Sequence, residues 1–207
     1  SSAALLGLTS TSAGVQFTEA SGGYSIGTIS AGDDIAQING ISTPIGTAAG
    51  FVTLNTANDT SLVQHAATSP QGITTHSLNL QGAAEYQLTS DTLNRATVLT
   101  ISRGVGPADA AIAYVNTANQ DLALGVAERA ADVTLKVQGT GDLTLTDTVS
   151  LSSASTGQTF KLRMQAGTEG LIEQTGGSIQ ASHVGARAGN LVRLAQAGNN
   201  VGVIAGD

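Results

Sequence analysis

Cysteine is absent from this chain of 207 residues, which excludes disulfides and thiolate metal centres. Tryptophan is missing as well, and aromatic residues of every kind make up only 3%. Charge is scarce: charged residues amount to 11%, against an ordinary share of about 25%. Bases are scarcest of all, 8 Lys and Arg against 15 Asp and Glu, and they are scattered along the sequence. Nucleic-acid binding needs a clustered basic face to neutralise phosphates, so no nucleic-acid partner is expected. The net charge of −7 argues equally against an anionic membrane surface. No apolar run approaches the ~20 residues of a spanning helix. The opening SSAALLGLTS has no initiator Met and no basic stretch, so it does not read as a signal peptide, and the chain is expected to be a piece of a longer protein.

What is present is Gly, small polar residues and aliphatics in short alternation. The 41% hydrophobic content excludes a disordered chain. Residues 131–153, ADVTLKVQGTGDLTLTDTVSLSS, are the clearest stretch. There Val133, Leu135 and Val137 share one face, and so do Leu143, Leu145, Val149 and Leu151. Such strands recur every 8–12 residues or so, a spacing that fits a sandwich, a barrel or a solenoid.

An internal repeat chooses the solenoid. Residues 51–64 (FVTLNTANDTSLVQ) and 160–174 (FKLRMQAGTEGLIEQ) share the same Phe-to-Leu interval. Residues 72–99 align with 178–204 at a constant offset: Ile73 with Ile179, Leu78 with Val184, Leu88 with Leu194, Asn94 with Asn200, Val98 with Ile204. Each short strand of a solenoid buries one face only by stacking on its counterpart ~4.8 Å away. Like charges would repel along such a ladder, whereas Asn and Thr can bond to their own kind. The expected fold is therefore all-β, a parallel β-helix of about ten coils at ~20 residues each. It forms one repeat domain over 1–207, with units near 1–50, 51–104, 105–158 and 159–207. The paired aliphatics should line the lumen in equivalent layers. Asn94 and Asn200 should mark a turn or an internal Asn ladder. Aromatics are expected only as occasional stacks, such as Phe51 and Phe160. Two segments depart from the pattern: Ala-rich 107–132, where Leu122, Val126 and Arg129 have helical spacing, and 33–46, a loop or short helical excursion. The aliphatic strands at both termini point to possible end-to-end self-association.

No constellation of catalytic, cofactor or metal residues emerges, and the chain is not expected to be an enzyme. Asp33 and Asp34 are adjacent, as at a Ca²⁺ site or a glycan-cleaving groove, but no third acid recurs a coil away, so a solvated turn is the better reading. GTGDLTLTD, with Asp142 and Asp147, has one faint copy of a calcium-roll nonapeptide where a stack is required. The three histidines, His65, His76 and His183, lack a partnering Cys or carboxylate cluster and read as surface residues, although His76 and His183 fall near one repeat position. No nucleophile elbow is present, and GVGPADA at 104–110 lacks the Lys of a phosphate loop.

The segment LIEQTGGSIQASHVGARAGNLVRLAQAGNNVGVIAGD (171–207) carries a definite grammar of I-x-Q-x-GG-x-I-x-A followed by L-x-x-AGN. It resembles the repeat units of filamentous-haemagglutinin-like exoproteins and large autotransporter adhesins, and DLTLTDTVSLSSA looks like a strand unit of the same kind. The resemblance implies a right-handed parallel β-helix, secretion past an outer-membrane translocator, and a place on the bacterial cell surface. It implies an adhesive shaft whose partners are host or neighbouring cells or glycans. The alternatives are a carbohydrate-active β-helix enzyme and a self-assembling extracellular filament subunit. The family's secretion domain and translocator barrel lie outside this sequence, and the resemblance supplies no catalytic or binding residues.

Overall fold

The computed structural model describes residues 4–19, 24–26, 28–29, 38–56, 61–64, 71–89, 94–104, 109–117, 119–153 and 155–206. These residues are all-β, with no helix among them, and 20 strands join one sheet through parallel pairings. The chain winds as a right-handed parallel β-helix, the hand that parallel crossovers take. Its longest column stacks Ala4–Leu6, Tyr24–Ile26, Ser61–Gln64, Glu85–Leu88, Ile112–Asn116, Val133–Val137 and Lys161–Gln165, then the second halves of Ile179–Arg187 and Asn200–Gly206. Coil length, read as the separation of paired residues, runs from 20 (Ala4 to Tyr24) to 38 (Tyr24 to Leu62). The coils are therefore fewer than the ten expected at ~20 residues apiece. Side excursions lengthen them.

The alternation that marks the strands also builds the lumen. Val133, Leu135 and Val137 point inward while Thr134 and Lys136 point out. Leu143, Leu145, Val149 and Leu151 are completely buried. Register then stacks like on like: Ile112 lies on Val133 and Val133 on Leu162. Each fully buried aliphatic contributes ~1.5–3 kcal/mol relative to exposure.

The repeat is real but rotated. Ile73–Gly82 and Ile179–Arg187 are both long strands that turn from one face to the next. Ile73, Leu78, Leu88, Ile179 and Val184 are all buried, as the alignment predicts. The matched residues nevertheless sit in different columns. Leu78 stacks through Leu99 and Leu124 to Leu145, whereas Val184 stacks on Leu162 and Val133. A constant sequence offset does not equal a whole number of coils when coil length varies, so the second copy begins one face later. Three predicted lumen residues fail for local reasons. Val98 pairs with outward Ser77 and is only half-buried, its place inside taken by Leu99. Leu194 is half-buried against the core. Ile204 is in register with Val184 but 67% exposed, since no described coil lies over it.

The turn expected at Asn94 and Asn200 is made by Asn94 and Asn199. The Asn94 carboxamide accepts the Ile73 N–H at 3.1 Å and donates to the Leu88 carbonyl at 3.1 Å. Asn199 repeats this with the Ile179 N–H at 2.9 Å and the Leu194 carbonyl at 3.4 Å, while Asn200 is exposed. A third corner uses Asn116, which accepts the Ala96 N–H and donates to the Ala96 and Gln120 carbonyls. Each carboxamide ties a corner to the coil beneath it and satisfies backbone groups that would otherwise be buried without partners.

The described residues of the Ala-rich segment 107–132 form two strands, Ile112–Asn116 and Leu122–Glu128, and no helix. Leu122 and Leu124 point inward, Val126 is exposed and Arg129 is buried, which a helical face would not produce. Within 33–46, residues 33–37 lie outside the described residues. Ile38–Asn39 pairs antiparallel with Thr28–Ile29 outside the main sheet, so the described part of the excursion begins as strand. The aromatics also differ from expectation. Phe51 points outward over the bare Cα of Gly14, whereas Tyr86 and Tyr114 are buried inside the coil. They fit because their hydroxyls are paired: Tyr86 shares its one proton between the Leu54 and Gln81 carbonyls, and Tyr114 donates to Asn116 Oδ1 at 2.9 Å. Burial raises both phenol pKa values.

Candidate functional site

In a parallel β-helix, residues two apart on a strand define rows that run up the outside of the coils. On the longest column these rows collect the chain's cations. One row is Val115, Lys136, Gln165 and Arg187. The next is Ala113, Thr134, Arg163, Gly185 and Ala205. A third brings Lys161 beside His183 and Val203. Four of the eight Lys and Arg therefore lie on three successive strands of one face, and those strands contain no acid. This corrects the expectation that the bases are scattered. They are scattered along the sequence, separated by 27 residues from Lys136 to Arg163 and by 24 from Arg163 to Arg187, but each interval is about one coil.

Ladder repulsion is managed by insertion of neutral residues. Gln165 separates Lys136 from Arg187, leaving two strand steps, ~9.6 Å, between their Cα positions. That is close to a Debye length at physiological salt. Arg163 stands between Thr134 and Gly185, with small neighbours on both sides. Asp132, at the foot of the face, accepts the Lys161 N–H at 2.9 Å and pairs with Arg163 at 3.3 Å, a solvent-exposed bridge. Between the first two rows runs a groove of about 480 Å³ along the rod, floored by small residues that include Ala113, Gly185 and Ala205. The Lys136, Gln165 and Arg187 ridge separates it from a second, more polar groove of about 680 Å³.

A second polar cluster is buried and structural. The guanidinium of Arg129 is inaccessible to solvent and donates to the carbonyls of Gly82, Ala84 and Ala110. It lies 6.0 Å from the centroid of the Tyr86 ring. Burial pulls its pKa down from the usual value, with the negative charge of Asp109 opposing. Asp109 holds the same corner, accepting the Gly104 N–H at 3.0 Å and the Ala130 N–H at 2.7 Å. All these contacts are backbone groups at a bend between coils. The cluster is a staple and has no access to a substrate.

The acids singled out from the sequence are occupied in the same way. Asp142 accepts the Leu171 N–H at 2.9 Å and Asp147 accepts its neighbour Thr148 N–H at 2.7 Å. Asp121, which the sequence pattern does not single out, accepts the Asp142 N–H at 2.9 Å, so Asp121 and Asp142 cap strand starts on successive coils. Among the described residues no group of three or more His, Asp or Glu is placed to hold a metal ion. Asp33, Asp34 and His65 lie outside the described residues. His76 and His183 are on different faces: His76 contacts the Ile45 carbonyl at 3.1 Å and His183 contacts Ser182 Oγ at 3.1 Å. The loop 104–110 is described at Gly104, Asp109 and Ala110, where its role is the Asp109 corner.

No family model matches the chain, and neither a curated protein nor a solved structure matches it.

Proposed function

We propose that this chain is a stretch of the surface-exposed adhesive shaft of a bacterial exoprotein, of the filamentous-haemagglutinin-like or autotransporter kind that its C-terminal repeat resembles. The observation that carries the reading is the unbroken parallel column from Ala4–Leu6 to Asn200–Gly206. Each strand of the main sheet pairs only with strands of the adjacent coils, so coils can be added to lengthen the rod without altering its cross-section. That property suits a projecting spacer. Asn and Asp side chains lash successive coils together, which favours a rigid shaft over a flexible tether. In this reading the protein acts outside the cell after passage through an outer-membrane translocator, and it contacts cells or their glycans through its outward rows.

Attachment is tested with beads coated with the purified chain and passed over cell layers under flow. Coated beads should be retained well above beads coated with albumin. Equal retention would reject the adhesive reading.

A further inference from the structure

The cationic face offers a recognition site of definite chemistry. Its charges are sparse: the Cα positions of Lys136 and Arg187 stand ~9.6 Å apart along the rod, about the length of one disaccharide, with Arg163 offset between them. A densely charged polymer would leave most of its anions without partners there. Beside the charges stand two neutral hydrogen-bonding groups that suit sugar hydroxyls, the Gln165 carboxamide and the Thr134 hydroxyl, over a largely apolar floor of small residues. Single-stranded nucleic acid requires aromatic platforms for its bases. The one aromatic bordering the groove, Tyr114, is buried with its hydroxyl held by Asn116. The groove runs along the rod and crosses five strands, from Ala113 to Ala205, so it fits an extended chain better than a compact ligand. Acids elsewhere give the protein its net negative charge, so an anionic chain is drawn to this face, whose strands carry four cations and no acid.

We infer that the groove beside Lys136, Arg163 and Arg187 binds an extended carboxylated polysaccharide, a polymer with about one uronate per disaccharide lying parallel to the solenoid axis. Arg163 and Arg187 meet carboxylates through their planar forks, Lys136 meets one as a point charge, and Gln165 bonds the hydroxyls between. This inference rests on the attachment reading, to which it supplies the ligand class.

The test uses the whole chain in solution with fluorescein-labelled hyaluronate oligosaccharides, read by fluorescence anisotropy. Binding should saturate and weaken as NaCl rises. Each of Lys136→Gln, Arg163→Gln and Arg187→Gln should weaken it about two- to fivefold, and the triple variant by tenfold or more. Gly185→Val is the steric control. A Cβ at Gly185 meets nothing within 4 Å, so the branched side chain enters the groove without disturbing the strand. Binding should fall while the circular dichroism spectrum is retained. Absence of hyaluronate binding, or binding that all five variants leave unchanged, would overturn the site. So would preference for oligothymidylate or dextran sulfate that hyaluronate cannot displace. Flow retention of beads separates this inference from the reading beneath it. Beads that adhere while the soluble chain ignores hyaluronate overturn the ligand and leave attachment standing. Hyaluronate binding by a chain whose beads are not retained supports the site and rejects the adhesive role.

Discussion

Replacing Arg129 with Met tests whether a single buried cation sets the stability of the rod's centre. The guanidinium serves the carbonyls of Gly82, Ala84 and Ala110, which belong to two coils besides its own. A hydrogen bond to a charged group contributes ~1.5–3 kcal/mol, so three such bonds sum to roughly 4–9 kcal/mol. Against this stands the cost of holding the cation out of water, several kcal/mol, which Met does not incur while it keeps much of the apolar stem. The net loss should be about 3 kcal/mol, a large part of an ordinary stability of ~5–15 kcal/mol. For a chain of this size that lowers Tm by roughly 6–12 °C. Thermal melts followed by circular dichroism measure it. Arg129→Lys discriminates further, because one ammonium cannot span the three carbonyls that the planar fork reaches and should restore little of the loss. A Met variant melting within 2 °C or so of the parent, or a Lys variant equal to it, would refute the account.

The two buried tyrosines predict alkaline unfolding. Their folded pKa values are raised by burial, so their contribution is intact below about pH 10 and drops by up to ~1.4 kcal/mol per pH unit per tyrosine above it. In a Tyr24→Phe background, phenolate absorbance at 295 nm should therefore rise together with loss of the circular dichroism signal, and ordinary titration near pH 10 in a folded chain would contradict it. Asn199→Ala should cost ~1–3 kcal/mol by stranding the Ile179 N–H, whereas Asn200→Ala should be close to neutral; urea midpoints decide between the two registers. Leu88→Asp should abolish cooperative unfolding by placing a charge in a dry lumen, while Leu194→Asp, half-buried, should only lower the midpoint. Chelation with EDTA should leave Tm unchanged, since Asp142 and Asp147 are engaged by backbone N–H groups; a fall of several degrees would revive a calcium site there.

The solenoid was legible because inward and outward residues alternate cleanly in stretches such as Val133–Val137, and because Ile73 and Ile179 begin the same motif. Column assignment was not legible. It depends on coil length, which is set by corner loops whose extent no strand pattern encodes, and so Leu78 and Val184 share a motif position without sharing a column. The cationic face was hidden for the same reason: Lys136, Arg163 and Arg187 become neighbours only once the coil lengths are known. Helical spacing in 107–132 misled because Ala is small enough for a tight corner as well as favourable in a helix. Ala127, Ala130 and Ala131 are buried at such a bend, and Arg129 enters the interior between them.

The Arg129 staple has a mechanical consequence. Tension along the rod axis loads the end coils first, and a coil that peels away frees its own residues alone, 20 to 29 over the C-terminal half, for a lengthening of about 70–100 Å. Between Gly82 and Arg129 the chain cannot yield in such increments. One guanidinium links positions 47 residues apart across three successive coils, and its rupture frees them as a block of about 160 Å. Under a steady pull the shaft would pay out in short steps from its ends and then give way once, at its middle, in a long one.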